Sequence, residues 1–101
     1  MILYNVTIKV QHSIHKEWLQ WLKEIHVHDI MQTECFSSFK ILQLLEIDEA
    51  EGPTYAVQYF AESKALYNLY IEKFSKQMRD NSFAKWGDKF IAFRSVMQIV
   101  D

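Results

Sequence analysis

From Ile2 to Val10 the side chains alternate. Ile2, Tyr4, Val6, Ile8 and Val10 take one side, and Leu3, Asn5, Thr7 and Lys9 take the other. A period of two with this β-branched content predicts a strand. Gln11–His12–Ser13 interrupts it, and the Ser13 hydroxyl is placed to accept from the free amides of a first helical turn. Ile14, Trp18, Trp21, Leu22 and Ile25 then recur at helical spacing, with Glu17, Gln20, Lys23 and Glu24 opposite. After Ile25 the pattern degrades. The same wheel carries Asp29 into the middle of the apolar face and puts Val27 and Met31 on the polar one, which predicts a break near His26 to His28 and a short second turn ending near Thr33.

Phe36 to Asp48 is strand-like, with Phe39, Ile41, Gln43, Leu45 and Ile47 set against Lys40, Leu42, Leu44 and Glu46. An acidic turn, Glu49 to Pro53, leads into a strand over Thr54 to Ala61 and closes a hairpin. Ser63 caps a second helix whose face runs Leu66, Leu69, Tyr70, Phe74 and Met78, and Asp80–Asn81–Ser82 ends it. Phe83 to Lys89 reads as irregular or as one helical turn around Trp86–Gly87, and Phe90 to Val100 as the last strand. The order βαββαβ, with right-handed crossovers, predicts an α+β ferredoxin-like sandwich. Two helices cover one face of a four-stranded antiparallel sheet whose first and third strands are central. At 101 residues the chain suits one domain, 1–101.

One sheet face meets the helices through Ile2, Tyr4, Val6 and Ile8. The other should be polar if water covers it. Instead it receives Leu3, Asn5 and Thr7 from the first strand and Ala56, Gln58 and Phe60 from the third. The last strand is largely apolar in either parity, Phe90, Ala92, Arg94, Val96 or Ile91, Phe93, Ser95, Met97. So much unexplained apolar surface predicts a homodimer through the open sheet face.

Charge and composition narrow the partners. The formal net charge is -2 and no Lys/Arg run occurs, so nucleic acid is not expected as a partner. RNA-recognition motifs share this element order, but Glu51–Gly52–Pro53–Thr54–Tyr55 departs from their third-strand pattern at its basic and first aromatic positions. No apolar run is long enough for a membrane helix. The single cysteine, Cys35, permits no disulfide within the chain, and the N-terminus lacks the pattern of a signal peptide, so a cytoplasmic location is expected.

The candidate chemistry is sparse. His26, His28 and Asp29 cluster where the wheel fails. A histidine beside a carboxylate suits a general base, and one at a helix end suits a plain structural role. His12 and His15 read as solvent residues, and Trp18 and Trp21 as core aromatics. There is no Gly-rich phosphate loop, no His-Glu-x-x-His pattern and no matched ligand spacing, so neither cofactor nor metal is expected. Cys35, between Glu34 and Phe36, is poorly placed to become a thiolate. The second sheet face offers Asn5, Thr7 and Gln58, with Gln43 and Arg94 on outer strands. These groups either bond across a dimer or orient a small apolar or aromatic ligand walled by Tyr4, Tyr55, Tyr59, Phe90 and Phe93. Arg94 suits a carboxylate or enolate-like oxyanion.

Tyr4-Asn5-Val6-Thr7, the run Glu17-Trp18-Leu19-Gln20-Trp21 followed by His26, Thr54-Tyr55-Ala56-Val57-Gln58-Tyr59-Phe60, and Lys89-Phe90-Ile91-Ala92-Phe93-Arg94 together resemble a family of small bacterial proteins grouped as a domain of unknown function. The resemblance spans essentially the whole chain. The Trp-to-His spacing resembles a wider group, the dimeric α+β barrels, which includes cofactor-independent monooxygenases, muconolactone isomerase-like proteins and stress-responsive barrel proteins. This implies a face-to-face sheet dimer and assigns no activity. Three readings follow: a small-molecule-binding or regulatory dimer with a cleft between sheet and helices, a cofactor-independent monooxygenase- or isomerase-like enzyme using His26 and Arg94, and a protein-interaction module.

Overall fold

The structure is a computed structural model and describes residues 1–101. Strands β1 (Ile2–Val10), β2 (Ser38–Gln43), β3 (Thr54–Ala61) and β4 (Phe90–Gln98) form one antiparallel sheet in the order β2-β3-β1-β4. The expected ferredoxin-like α+β sandwich is present, with β1 and β3 central. Its helices are α1 (His15–Trp21), α2 (Val27–Met31), α3 (Lys64–Lys73) and α4 (Ser75–Trp86). The alternation of β1 sorts as the sequence implies. Ile2, Tyr4, Ile8 and Val10 are buried under the helices, beside Tyr55, Val57, Tyr59 and Ala61 of β3. Tyr4, Phe36, Tyr59 and Tyr70 form an aromatic cluster there, with ring centroids 4.9 Å apart for Phe36–Tyr70 and 5.3 Å for Phe36–Tyr59.

The helix after β1 does not break. A 3-10 turn over His12–Ile14 leads into α1, and Ser13 makes no capping bond. Between α1 and α2 the chain makes a π-helical turn, Leu22–His26, in which the Val27 amide donates to the Leu22 carbonyl. A π turn holds one residue more than an α turn. The surplus rotates Ile25 outward, leaving it 50% exposed. Everything beyond shifts phase, so Val27 and Ile30 turn inward and are buried. The conflict that read as a break is therefore a phase reset within one helical run.

The second helical layer also differs from expectation. Ser63 caps α3 as predicted, accepting from the Leu66 amide at 3.2 Å. The chain then kinks at Phe74 and continues as α4 to Trp86, through the polar Asp80–Asn81–Ser82. The Ser75 hydroxyl donates to the Ile71 carbonyl at 2.8 Å, a back-bond of the kind that bends helices. Leu69 falls on the outer side and is exposed. Strand β2 is shorter than predicted. Leu44 leaves it, Glu46 takes a left-handed φ of 59°, and the loop folds back over the end of β1. There Val10 donates to Pro53 and His12 to Glu51 through their amides, at 3.0 and 3.2 Å. The His12 ring lies 2.8 Å from the Glu49 carbonyl. His12 and His15, read as plain solvent residues, are both bonded: His15 Nε2 is 2.6 Å from the Tyr55 hydroxyl.

The parity of β4, open in the sequence, is fixed by its pairing with β1. Ile91, Phe93, Ser95 and Met97 sit opposite Lys9, Thr7, Asn5 and Leu3, on the uncovered face. Leu42, Ala56 and Phe60 continue that face across β3 and β2. Phe93 is 68% and Ile91 55% exposed. A polar row, Lys40, Gln58, Asn5 and Ser95, crosses its middle. No helix is long and apolar enough to cross a membrane.

Candidate functional site

The other parity of β4 puts Phe90, Ala92 and Arg94 on the helix side of the sheet, with Arg94 at its exposed margin. With Tyr4, Val6 and Ile8 of β1 and Val57 and Tyr59 of β3 they form the floor of a cavity. Trp18, Trp21, Leu22, His26 and Ile30 roof one side, and Tyr70, Met78, Arg79 and Ser82 close the other. The cavity encloses about 530 Å³ between atoms, its open mouth included, of which about 40 Å³ can hold the centre of a water-sized group. At about 10–15 Å³ of such room per water, this is space for about three waters.

His26 owes its place to the π turn, which brings an imidazole onto the stripe that Trp21 and Leu22 occupy one turn earlier. Its ring stacks on Trp21, centroids 4.5 Å apart at 19°, and Nε2 lies 3.5 Å from the Ser82 hydroxyl of α4. Burial pushes its pKa down to about 4. Asp29 opposes this and the charge of Arg94 adds to it. At neutral pH the imidazole is uncharged.

That depression has a measurable consequence. Folded His26 protonates near pH 4, whereas an unfolded histidine does so near 6.5. Between those values the unfolded chain binds more protons, so stability falls as pH falls, by up to about 3 kcal/mol at pH 4 and below, and the group costs nothing above 6.5. His26→Gln should remove most of that term. Urea unfolding of both proteins at pH 7 and pH 4 checks it: an unchanged difference between the two pH values rejects the assignment.

The tyrosines supply the remaining polarity. Burial raises the pKa of Tyr4, Tyr59 and Tyr70, so all three phenols stay protonated donors, and at Tyr4 the charge of Arg94 pulls the other way. The only buried side-chain polar atom sealed off without a partner is Nε1 of Trp86, whose ring meets Trp21 edge-on at 5.8 Å. The hydroxyls of Tyr59 and Tyr70 bond to nothing within the chain, and both residues line the cavity.

The residues singled out from sequence divide between the two sheet faces. His26, Arg94, Tyr4 and Tyr59 come together in the cavity, with Phe90. Asn5, Gln58 and Phe93 lie on the opposite, open face, where the Asn5 amide donates to the Thr7 hydroxyl at 2.9 Å. Tyr55 and Gln43 share the helix side, Tyr55 bonded to His15 away from the cavity lining. A single pocket holding all of them is thus corrected by the period of the strands: neighbours in sequence point to opposite layers. His28 is exposed and edge-on to Phe39 at 6.2 Å, outside the cavity. Cys35 is buried. No group of three or more His, Cys, Asp or Glu is placed to hold a metal ion. Sequence reasoning missed Arg79 and Ser82 because α4 is polar around nearly its whole circumference. The available signal was their spacing from Met78 and Ser75.

Comparison with solved structures finds the same fold at low identity. SnoaB, a cofactor-independent oxygenase from Streptomyces nogalater, superposes with a TM-score of 0.70 at 7% identity, over 99% of this chain and 94% of that one. A dimeric ferredoxin-like protein from an uncultured marine organism gives 0.70 at 13% identity, over 100% and 96%. At3g17210 from Arabidopsis thaliana gives 0.69 at 16% identity, over 100% and 99%. Comparison with curated proteins gives no match. Residues 1–100 match a family model, and the chain belongs to that family, the Domain of unknown function (DUF4286).

Proposed function

We propose that this protein is a homodimer that binds a small, mainly aromatic molecule in the cavity between sheet and helices. The observation that carries the reading is the cavity itself. Aromatic and aliphatic side chains form most of it, and a neutral imidazole, an arginine and two free phenol hydroxyls converge on it from different elements. That is the usual build of a ligand site, apolar walls with a few placed polar groups. The dimer rests on the open sheet face, where Leu3, Leu42, Phe60, Ile91, Phe93 and Met97 share one surface. The dimeric ferredoxin-like neighbour supports it. A free buried cysteine suits the reducing cytoplasm.

A second reading is supported by His26 and Arg94 lining the same space. In it His26 takes a proton from the carbon next to a carbonyl, the C–H electron pair moves into the enolate, and Arg94 holds the oxygen that becomes negative. An imidazole that protonates only near pH 4 is a weak acceptor, so binding stands first.

Amide and indole NMR shifts on titration with benzyl alcohol and acetophenone test both readings. Binding should move the Trp18 and Trp21 indole signals, and Ala92→Phe, which fills the floor, should weaken it at least about tenfold without unfolding the protein. Shifts that persist unchanged in Ala92→Phe, or none at all, reject the cavity. Deuterium entering the acetophenone methyl group in D2O faster with wild type than with His26→Gln supports catalysis, and equal rates reject it.

A further inference from the structure

Resting on the cavity as the binding site, we propose that its ligand is an aromatic monocarboxylate, with the ring inside and the carboxylate at the mouth between Arg79 and Arg94. The charge inventory carries this. The lining includes two guanidinium groups, one imidazole, three phenols and one serine hydroxyl, and no Asp or Glu. Neither arginine is neutralised elsewhere: the ion pairs of the structure are Lys9–Glu51 and Lys76–Asp80. Arg79 reaches only the Ser75 hydroxyl, at 3.5 Å.

The two arginines arrive independently, Arg94 from edge strand β4 and Arg79 from α4 across the cavity mouth. Both line the same cavity, and the charge of each lowers the pKa of Tyr4 and of Tyr70. Both are solvent-exposed while the tyrosines behind them are buried, so the cavity passes from cationic rim to aromatic interior. A neutral ring alone would leave the rim unmatched. A multiply charged phosphate would leave the aromatic interior unmatched. A planar carboxylate suits guanidinium geometry, accepting in parallel from fixed donors, while the phenol hydroxyls can donate to a ring substituent.

Calorimetric or NMR titration with benzoate, benzamide and benzyl alcohol tests the proposal. These probes share the ring and differ in charge. Benzoate should bind at least about tenfold more tightly than benzamide, and Arg94→Met and Arg79→Met should each cost benzoate about tenfold while leaving benzyl alcohol within about twofold. Raising the salt concentration should weaken benzoate alone. Equal affinity for benzoate and benzamide overturns the carboxylate assignment and leaves the cavity reading intact. Absence of binding by all three overturns both. Because both arginines are exposed, loss of folding is not expected, and unfolding midpoints of the variants close to wild type confirm that the affinities report contacts.

Discussion

Phe93→Glu should yield a monomer under conditions where the wild-type protein forms the proposed dimer, while the domain stays folded. Phe93 lies in the middle of β4 on the open face, opposite Thr7, and is 68% exposed in the single chain. In a two-fold dimer the residue occurs twice. Each buried phenylalanine contributes about 1.5–3 kcal/mol, so the pair contributes about 3–6 kcal/mol to association before any cost of burying glutamate. The dimer dissociation constant should rise by at least about a hundredfold. The domain itself loses little, because the ring touches solvent rather than the core. Sedimentation velocity across a concentration series, with an unfolding curve for each protein, gives the answer. A wild type that remains monomeric at about 100 µM, or a variant that dimerises as well as wild type, removes the proposed interface.

Gly52→Ala should cost about 3–5 kcal/mol, from a strained backbone plus a steric conflict with little room to relax. Gly52 adopts φ +151°, a conformation side chains rarely enter, and a Cβ there would stand 1.7 Å from the Val10 carbonyl oxygen. The obstacle is backbone at the end of a central strand, so no rotamer change relieves it. The same short loop ties β1 down through the Val10–Pro53 and His12–Glu51 bonds, and the conflict reaches both. For a chain of 101 residues this is a large share of the total stability. Urea unfolding measures it, and a loss below about 1 kcal/mol shows that the loop can move aside.

The strands and their order were legible because period-two alternation survives burial on one face: Thr54–Ala61 runs between the same residues in sequence and structure. Ser63 was legible because a hydroxyl before a helix has one obvious use. Three features were not. Residues 22–26 contain nothing that separates a π turn from a bend, since each accounts for the same misplaced Asp29 and Val27. Asp80–Asn81–Ser82 looks like a helix end, yet on an outer helix such residues simply face water, and the kink came at Phe74. Strand β4 is apolar on both sides, so hydropathy could not choose its parity. With it went the position of Arg94, and hence the layer in which the site lies.

The surplus residue in the first helical run also bears on how this chain is lined up with others. A homologue whose helix runs without interruption corresponds to this one only across a one-residue gap between Leu22 and Val27. Matched without that gap, Val27 and Ile30 are paired with positions on the water-facing side of the homologue, and His26 is set against a residue that does not do its job. A histidine missing from an ungapped match to a distant sequence should therefore be sought one place earlier.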